Sequence, residues 1–153
     1  MCTGNICRSP MAEVLMRHAL QQQGINAQVV SRGLAAPAGR SPHPFAQATA
    51  NHFGLPLDPQ KRSAPVNLVD FQAATVVLVM DQGHRRDILQ RYPQAGGKTF
   101  LLRHWNGGHD LADPLHAPET VFREQWPLMQ EACTEWATRL LQAGMLAKAT
   151  PNP

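Results

Sequence analysis

The sequence predicts an α/β fold in which a parallel sheet is covered by helices on both faces. The clearest strand runs from Thr75 to Met80, which is apolar and rich in β-branched residues, as strands buried on both faces usually are. Helical patterns precede and follow it, and a second short strand is predicted over residues 98–102. Because strands that alternate with helices usually pair in parallel, this order favours a parallel sheet.

Each further element follows from apolar spacing and from the residues that stop it. The predicted helices cover residues 10–23, 45–53, 83–92 and 119–146, with a short turn or helix over 67–71 and another strand over 27–31. Gly24 ends the first helix, and Pro127 is a candidate interruption of the last. The side chains predicted to face inward from the last helix are Phe122, Trp126, Met129, Cys133, Trp136 and Leu140. His84-Arg85-Arg86 is expected to be a solvated helix end.

Composition limits the class of protein. With 153 residues, 43% of them apolar and 16% charged, the chain is expected to form one domain over residues 1–147, followed by a frayed tail over 148–153. The 14 basic and 11 acidic side chains leave a net charge of only +3, and the sequence has no basic run that would favour nucleic acid. Three cysteines, without a long apolar segment or a signal sequence, indicate a cytoplasmic protein with no membrane span. The sequence does not indicate an oligomeric state.

The beginning of the chain has the pattern of an anion-binding loop. Cys2 and Arg8 bracket a short segment that leads through Ser9-Pro10 into the first helix, whose N-terminus attracts negative charge. Gly4 and Asn5 allow the backbone to curl its N–H groups inward, and Arg8 can bind two phosphate oxygens at once. A thiol in this positive field forms a nucleophilic thiolate. The pattern therefore predicts hydrolysis of phosphate esters through a phosphocysteine, without metal or cofactor.

The string Cys2-Thr3-Gly4-Asn5-Ile6-Cys7-Arg8-Ser9 closely resembles the phosphate loop of low-molecular-weight protein tyrosine phosphatases. The resemblance implies a small doubly wound parallel sheet with the loop after its first strand. It also implies that the cysteine attacks phosphorus and that the serine after the arginine assists the thiolate. By resemblance the catalytic residues are Cys2 and Arg8, and the phosphate is bound by Thr3, Gly4, Asn5, Ile6, Cys7, Arg8 and Ser9. The same resemblance makes Asn5, Ser9 and Ser31 supports of the loop.

The general acid is predicted to be Asp113. Expulsion of an alkoxide or phenolate needs a proton donor, and the following Pro114 biases Asp113 toward an extended backbone. Gly107-Gly108 would let this loop fold over a neighbouring site. The resembled family carries an Asp-Pro just before its last helix, which implies the same role here.

Two residues of the loop bear on specificity and regulation. Ile6 is apolar, as in the tyrosine phosphatases of the family, whereas the arginine phosphatases have threonine there. By resemblance the substrate is a phosphotyrosine-bearing protein or a small aryl phosphate. Cys7 resembles a second loop cysteine that forms a reversible disulfide with the nucleophile, although a small buried thiol explains it equally well. Cys133 is expected to be a core residue.

Three departures from the family matter, one of which is Pro59, at a position where many members have a histidine that supports the loop. Only Met1 precedes Cys2, so the first central strand is expected to be missing and the loop to lose its N-terminal anchor. Leu115 and His116 stand where the family usually has an aromatic wall for the phenol ring. Three alternatives therefore stay open: an arginine phosphatase or an arsenate reductase of the same fold, and a phosphate-binding or phosphopeptide-binding module without turnover.

Overall fold

The centre of the fold is a two-stranded parallel sheet. In this computed structural model, which describes residues 1–150, β1 (Val77–Val79) pairs with β2 (Thr99–Leu101). Val77 lies opposite Thr99, and Val79 lies opposite Leu101. The predicted parallel pairing is confirmed, and both strands are shorter than their apolar runs because only three residues of each are paired.

Helices cover both faces of the sheet, as predicted. Alternation along the strands sends Val77, Val79 and Leu101 into one apolar cluster and Leu78 and Phe100 toward the other. The helices are α1 (Arg8–Gln22), α2 (Pro44–His52), α3 (Leu68–Ala73), α4 (Gln82–Arg91) and α5 (Glu119–Gln142), with a 3₁₀ helix at Pro93–Lys98. The first cluster includes residues of α3 and α4, and the second includes residues of α1, α2 and α5.

The last helix is continuous through Pro127. All six side chains predicted to face inward are buried, and the indole nitrogen of Trp136 donates to the carbonyl of Leu102 over 2.7 Å. This packing on both sides of Pro127 outweighs the one hydrogen bond that a proline removes. The predicted extension to residue 146 is wrong, because Gly144 adopts a positive φ of 70° just after the helix ends at Gln142. Within residues 1–150, no helix has the length and apolarity needed to cross a membrane.

The predicted strand over residues 27–31 is wrong, since the segment has no regular secondary structure and is not paired with a strand. A cavity of about 540 Å³ lies between it and the residues that lead into β1, lined in part by Met16, Leu20 and Leu140. Met1 is among the residues that line this cavity, and Cys2 forms an isolated parallel bridge with Gly33. The N–H of Cys2 donates to the carbonyl of Arg32, and its carbonyl accepts from the N–H of Leu34. The expected loss of the N-terminal anchor is therefore also wrong.

The end of the described chain returns to the end of α1. Lys148 forms a bridge with Ile25, and the N–H of Ala149 donates to the carbonyl of Gly24 over 2.7 Å. Of the predicted tail over 148–153, residues 151–153 lie outside the described residues. The prediction of one domain over residues 1–147 remains a prediction.

Candidate active site

The loop before α1 is held in shape by the side chain of Asn5. Its backbone has a positive φ of 56°, which asparagine tolerates better than most residues. The side-chain nitrogen donates to the hydroxyls of Ser9 (2.8 Å) and Ser31 (2.9 Å), and its oxygen accepts from the N–H of Ala64 (3.1 Å). The structure therefore brings together the three residues predicted to support the loop.

The loop opens onto an uncapped helix N-terminus. Helix α1 begins at Arg8, its N-cap Cys7 makes no side-chain capping hydrogen bond, and its first turn contains no acidic residue. The first N–H groups of a helix have no partner within the helix, and the helix dipole adds positive potential there. This end of α1 is therefore suited to bind an anion.

The thiol of Cys2 lies beside a hydroxyl that can stabilise its charged form. Cys2 is buried, and its Sγ is 2.9 Å from Oγ of Ser9. Because Ser9 Oγ already accepts a hydrogen bond from Asn5, its own proton is free to point at the sulfur. A hydrogen bond donated to a thiolate favours the thiolate over the thiol. The arrangement suits a sulfur nucleophile.

The guanidinium of Arg8 is buried, with its Nη1 held by hydrogen bonds to protein and its Nε without a hydrogen-bond partner among the described residues. Its Nη1 donates to the carbonyl of Leu111 (2.7 Å) and to Oδ2 of Asp81 (3.2 Å). The Nε atom is itself buried, and Arg8 is only 2% exposed. A buried donor without a hydrogen-bond partner lowers the stability of the fold unless a ligand accepts its hydrogen bond. The spacing of Nε and Nη2 matches two oxygens of a phosphoryl group.

Asp113 lies near Nη2 of Arg8. Its Oδ2 is 3.9 Å from Nη2 of Arg8, and its Oδ1 accepts from the N–H of Leu115 over 3.1 Å. Two contacts fix the preceding residues: the N–H of Leu111 donates to the carbonyl of Met80, and Gln125 donates to the carbonyl of Ala112. Asp113 itself is about half exposed, so its carboxyl group can reach solvent.

Sequence reasoning missed Asp81, whose carboxylate joins Arg8 to the start of α4. Burial by itself would raise the pKa of this carboxyl, but hydrogen bonds from the His84 N–H and from Arg8 outweigh burial and lower the pKa below its ordinary value. Its position was a usable signal, since it follows β1 closely and ligands in parallel α/β folds bind beyond the carboxyl ends of strands.

Three more residues were missed or misjudged. Gly33 has no room for a side chain, because a Cβ atom there would lie 2.5 Å from the carbonyl oxygen of Thr3. Nothing in the sequence around Gly33 signals this contact. His84 was expected to be solvated and is instead 6% exposed, with its Nε2 3.0 Å from Oγ1 of Thr3. Arg85 is half-buried as well, with its Nε donating to the carbonyl of Thr99 over 3.1 Å, and only Arg86 of the three is exposed as expected.

The remaining cysteines are free thiols in buried positions. Burial, together with the nearby charge of Cys2, raises the pKa of the Cys7 thiol to about 12, so that thiol stays protonated at neutral pH. Its role as a redox partner of Cys2 remains a prediction. Cys133 is fully buried in the core, as expected, and burial also raises its thiol pKa to about 12.

Comparison with known proteins identifies the family. The family model described as low molecular weight phosphotyrosine protein phosphatase matches residues 1–145. The chain belongs to this family. Among related low molecular weight phosphatases, the protein-tyrosine-phosphatase Ptp of Acinetobacter johnsonii is 34% identical over 140 residues, which are 92% of this chain and 94% of the relative.

Other members of the low molecular weight phosphatase family are similar in sequence or structure. A protein-arginine-phosphatase of Geobacillus stearothermophilus is 36% identical over 125 residues, covering 80% of this chain and 81% of that protein. The tyrosine phosphatase Wzb from Escherichia coli K30, solved in complex with sulphate, superposes with a TM-score of 0.84 at 31% identity. That superposition covers 91% of this chain and 94% of Wzb, and it confirms the predicted α/β fold.

Proposed function

We propose that this low molecular weight phosphatase hydrolyses phosphotyrosine in proteins, and small aryl phosphates, through a phosphocysteine intermediate. The observation that carries the proposal is that one short loop holds both a thiol beside a hydroxyl and a buried guanidinium donor without a partner. Sγ of Cys2 is 2.9 Å from a hydroxyl donor, and the buried Nε of Arg8 has no partner within residues 1–150. Because the nucleophile must be a free thiol, the activity suits a reducing compartment such as the cytoplasm.

The first step would transfer the phosphoryl group to sulfur. The Cys2 thiolate attacks phosphorus in line, the S–P bond forms, and the bond between phosphorus and the phenolic oxygen breaks. The leaving oxygen takes a proton from the carboxyl of Asp113. The N–H groups of residues 3–8, with Nε and Nη2 of Arg8, bind the equatorial oxygens, and positioned donors of this kind supply most of the rate gain in such reactions.

The second step would release inorganic phosphate. Asp113, now a carboxylate, accepts a proton from water as the water attacks phosphorus, and the S–P bond breaks to return the thiolate. One carboxyl group thus acts first as acid and then as base. Its exposure of about one half supports this double role, because the attacking water must reach it.

The test is hydrolysis of p-nitrophenyl phosphate and of a phosphotyrosine peptide by the parent chain and by Cys2→Ser. We expect activity in the parent and none in Cys2→Ser, together with a phosphocysteine adduct in the parent after acid quench. Equal activity in both proteins would contradict the thiol mechanism. Well-folded parent that binds inorganic phosphate without any turnover would favour a binding module instead.

The tyrosine preference is tested by a second substrate. Ile6 supports phosphotyrosine as the substrate, because an apolar side chain in the loop can contact an aromatic ring. Phosphoarginine is the competing substrate, because two relatives are named protein-arginine-phosphatases. We expect kcat/KM to be higher for a phosphotyrosine peptide than for the matched phosphoarginine peptide, and Ile6→Thr to narrow the difference. A phosphoarginine preference in the parent would move the assignment to the arginine phosphatases.

A further inference from the structure

His84 has a buried imidazole that contacts the phosphate loop at Thr3. It lies in the first turn of α4, is 6% exposed, and its Nε2 is 3.0 Å from Oγ1 of Thr3. Thr3 directly follows the nucleophile in sequence, so this contact fixes the side of the loop next to Cys2. An imidazole that served only to fill space would bury two polar nitrogens at a cost that an apolar residue avoids.

The carboxylate of Asp81 lies beside the imidazole, although Nδ1 of His84 has no hydrogen-bond partner among the described residues. Its Oδ1 accepts from the backbone N–H of His84 over 2.8 Å and lies 3.5 Å from Nδ1 of the same residue. The carboxylate favours a proton on Nδ1, which leaves Nε2 as the acceptor for the Thr3 hydroxyl. Burial lowers the pKa of His84, which keeps the ring neutral at neutral pH and preserves this acceptor.

The same helix end also holds the other end of the loop. Oδ2 of Asp81 accepts from Nη1 of Arg8 over 3.2 Å, so the start of α4 contacts the residue after the nucleophile and the phosphate-binding arginine together. Between those two contacts lie residues 4–7, whose backbone N–H groups bind the phosphoryl oxygens in the proposed reaction. Fixing both ends on one rigid element reduces the rearrangement needed when phosphate binds.

Resting on the proposed phosphatase activity, we propose that His84 is a positioning residue, which acts through Thr3 to hold the phosphate loop in its binding geometry. It does not touch the substrate. Loss of the His84 imidazole should weaken binding of the phosphoryl group in the ground state and in the transition state. Removal of the Thr3 hydroxyl alone should leave the thermal stability of the folded chain nearly unchanged.

The test is a double-mutant cycle between Thr3→Val and His84→Leu, with Thr3→Ser and His84→Gln as conservative variants. We expect each disruptive single variant to lower kcat/KM for p-nitrophenyl phosphate about tenfold, which is the scale of one well-placed hydrogen bond. The double variant should lose little more than either single one, because both remove the same contact. Thr3→Ser and His84→Gln should recover activity to within about threefold of the parent. Thr120→Val, at an exposed threonine in the first turn of α5, is the matched control.

The outcomes distinguish a positioning role of His84 from packing alone. Full activity in Thr3→Val, or additive losses in the cycle, would overturn the positioning role. A loss of activity that follows the melting temperature and is not recovered by the conservative variants would also overturn it, because that result indicates packing alone. Binding of inorganic phosphate, measured by calorimetry on all variants, tests the positioning role even if the parent has no turnover. Weaker phosphate binding in Thr3→Val would then support positioning although the proposed reaction had failed. Unchanged phosphate binding would contradict the positioning role.

Discussion

The side chain of Asn5 donates a hydrogen bond to the hydroxyl of Ser31 over 2.9 Å, although 26 positions separate the two residues in the chain. Both side chains are buried, and the second donor hydrogen of Asn5 goes to Ser9, which lies against the nucleophile. The contact therefore joins the segment after α1, through Asn5 and Ser9, to the thiol of Cys2.

Replacement of Ser31 by alanine should lower both stability and activity. The change leaves a buried donor of Asn5 without a partner, which costs about 1–3 kcal/mol in the free energy of unfolding. If about 1.4 kcal/mol of positioning is lost at the transition state, kcat/KM falls about tenfold. Chemical denaturation and steady-state kinetics measure the two effects. Ser41→Ala, at an exposed serine, is the control, and a Ser31→Ala variant equal to it would show that the contact is dispensable.

Replacement of Gly33 by alanine should damage the loop by steric contact. A Cβ atom at this position lies 2.5 Å from both the carbonyl oxygen of Thr3 and the Cβ of Ala36, so the loop backbone must shift. We expect a loss of about 1–3 kcal/mol in the free energy of unfolding, together with a raised KM. Gly97→Ala is the matched control, because nothing lies within 4 Å of its Cβ position. Equal melting temperatures for the two variants would contradict the steric argument.

Replacement of Arg8 by lysine should remove most of the activity while keeping the positive charge. A lysine ammonium cannot hold Leu111 and Asp81 with one edge and two phosphoryl oxygens with the other. We expect kcat to fall about 10²–10³-fold, as for removal of a transition-state donor. Arg62→Lys, at an exposed arginine, should keep full activity. If Arg8→Lys retains more than a third of the parent kcat, charge alone suffices and the fork geometry is unimportant.

Replacement of Asp113 by asparagine should lower activity in a way that depends on the leaving group. A general acid matters most when the leaving phenolate is basic, so the loss should be larger for phenyl phosphate than for p-nitrophenyl phosphate. For phenyl phosphate we expect a fall in kcat of about 10²–10⁴-fold. Asp110→Asn lies in the same loop and keeps an acceptor for the Gln82 N–H, so it is a close control. Equal losses for both substrates would argue against proton donation by Asp113.

The sequence predicted the parts of this molecule that depend on local pattern. Cys2, Arg8 and Asn5 lie within eight residues of each other, so their shared loop could be predicted before the fold was known. The inward face of α5 likewise follows from helical spacing. Asp81, His84 and Gly33 could not be found in this way, because their contacts with the loop join residues that are 30 to 81 positions apart. The prediction of a strand over residues 27–31 was wrong for a related reason. The apolar pattern of this segment is typical of a strand, but a strand also needs a neighbour to pair with, which the local pattern does not show.

His84 should also make the stability of the folded chain depend on pH. Burial lowers its pKa below the ordinary value of 6.5, so the unfolded chain binds the proton more readily than the folded chain does. The contribution of neutral His84 to the free energy of unfolding is therefore complete above about pH 6.5. This contribution is lost as the pH falls from there through the lowered pKa of the folded state. Asp81 acts in a separate, more acidic range, because its pKa lies below an ordinary value of 3.8.

The free energy of unfolding, measured in urea at several pH values between 7.5 and 5, should decline for the parent and decline less for His84→Gln, which does not titrate. Parallel curves would mean that the imidazole is not held neutral in the folded protein. His43, whose pKa is also lowered by burial, titrates in both proteins, so its contribution cancels in the difference between the two curves.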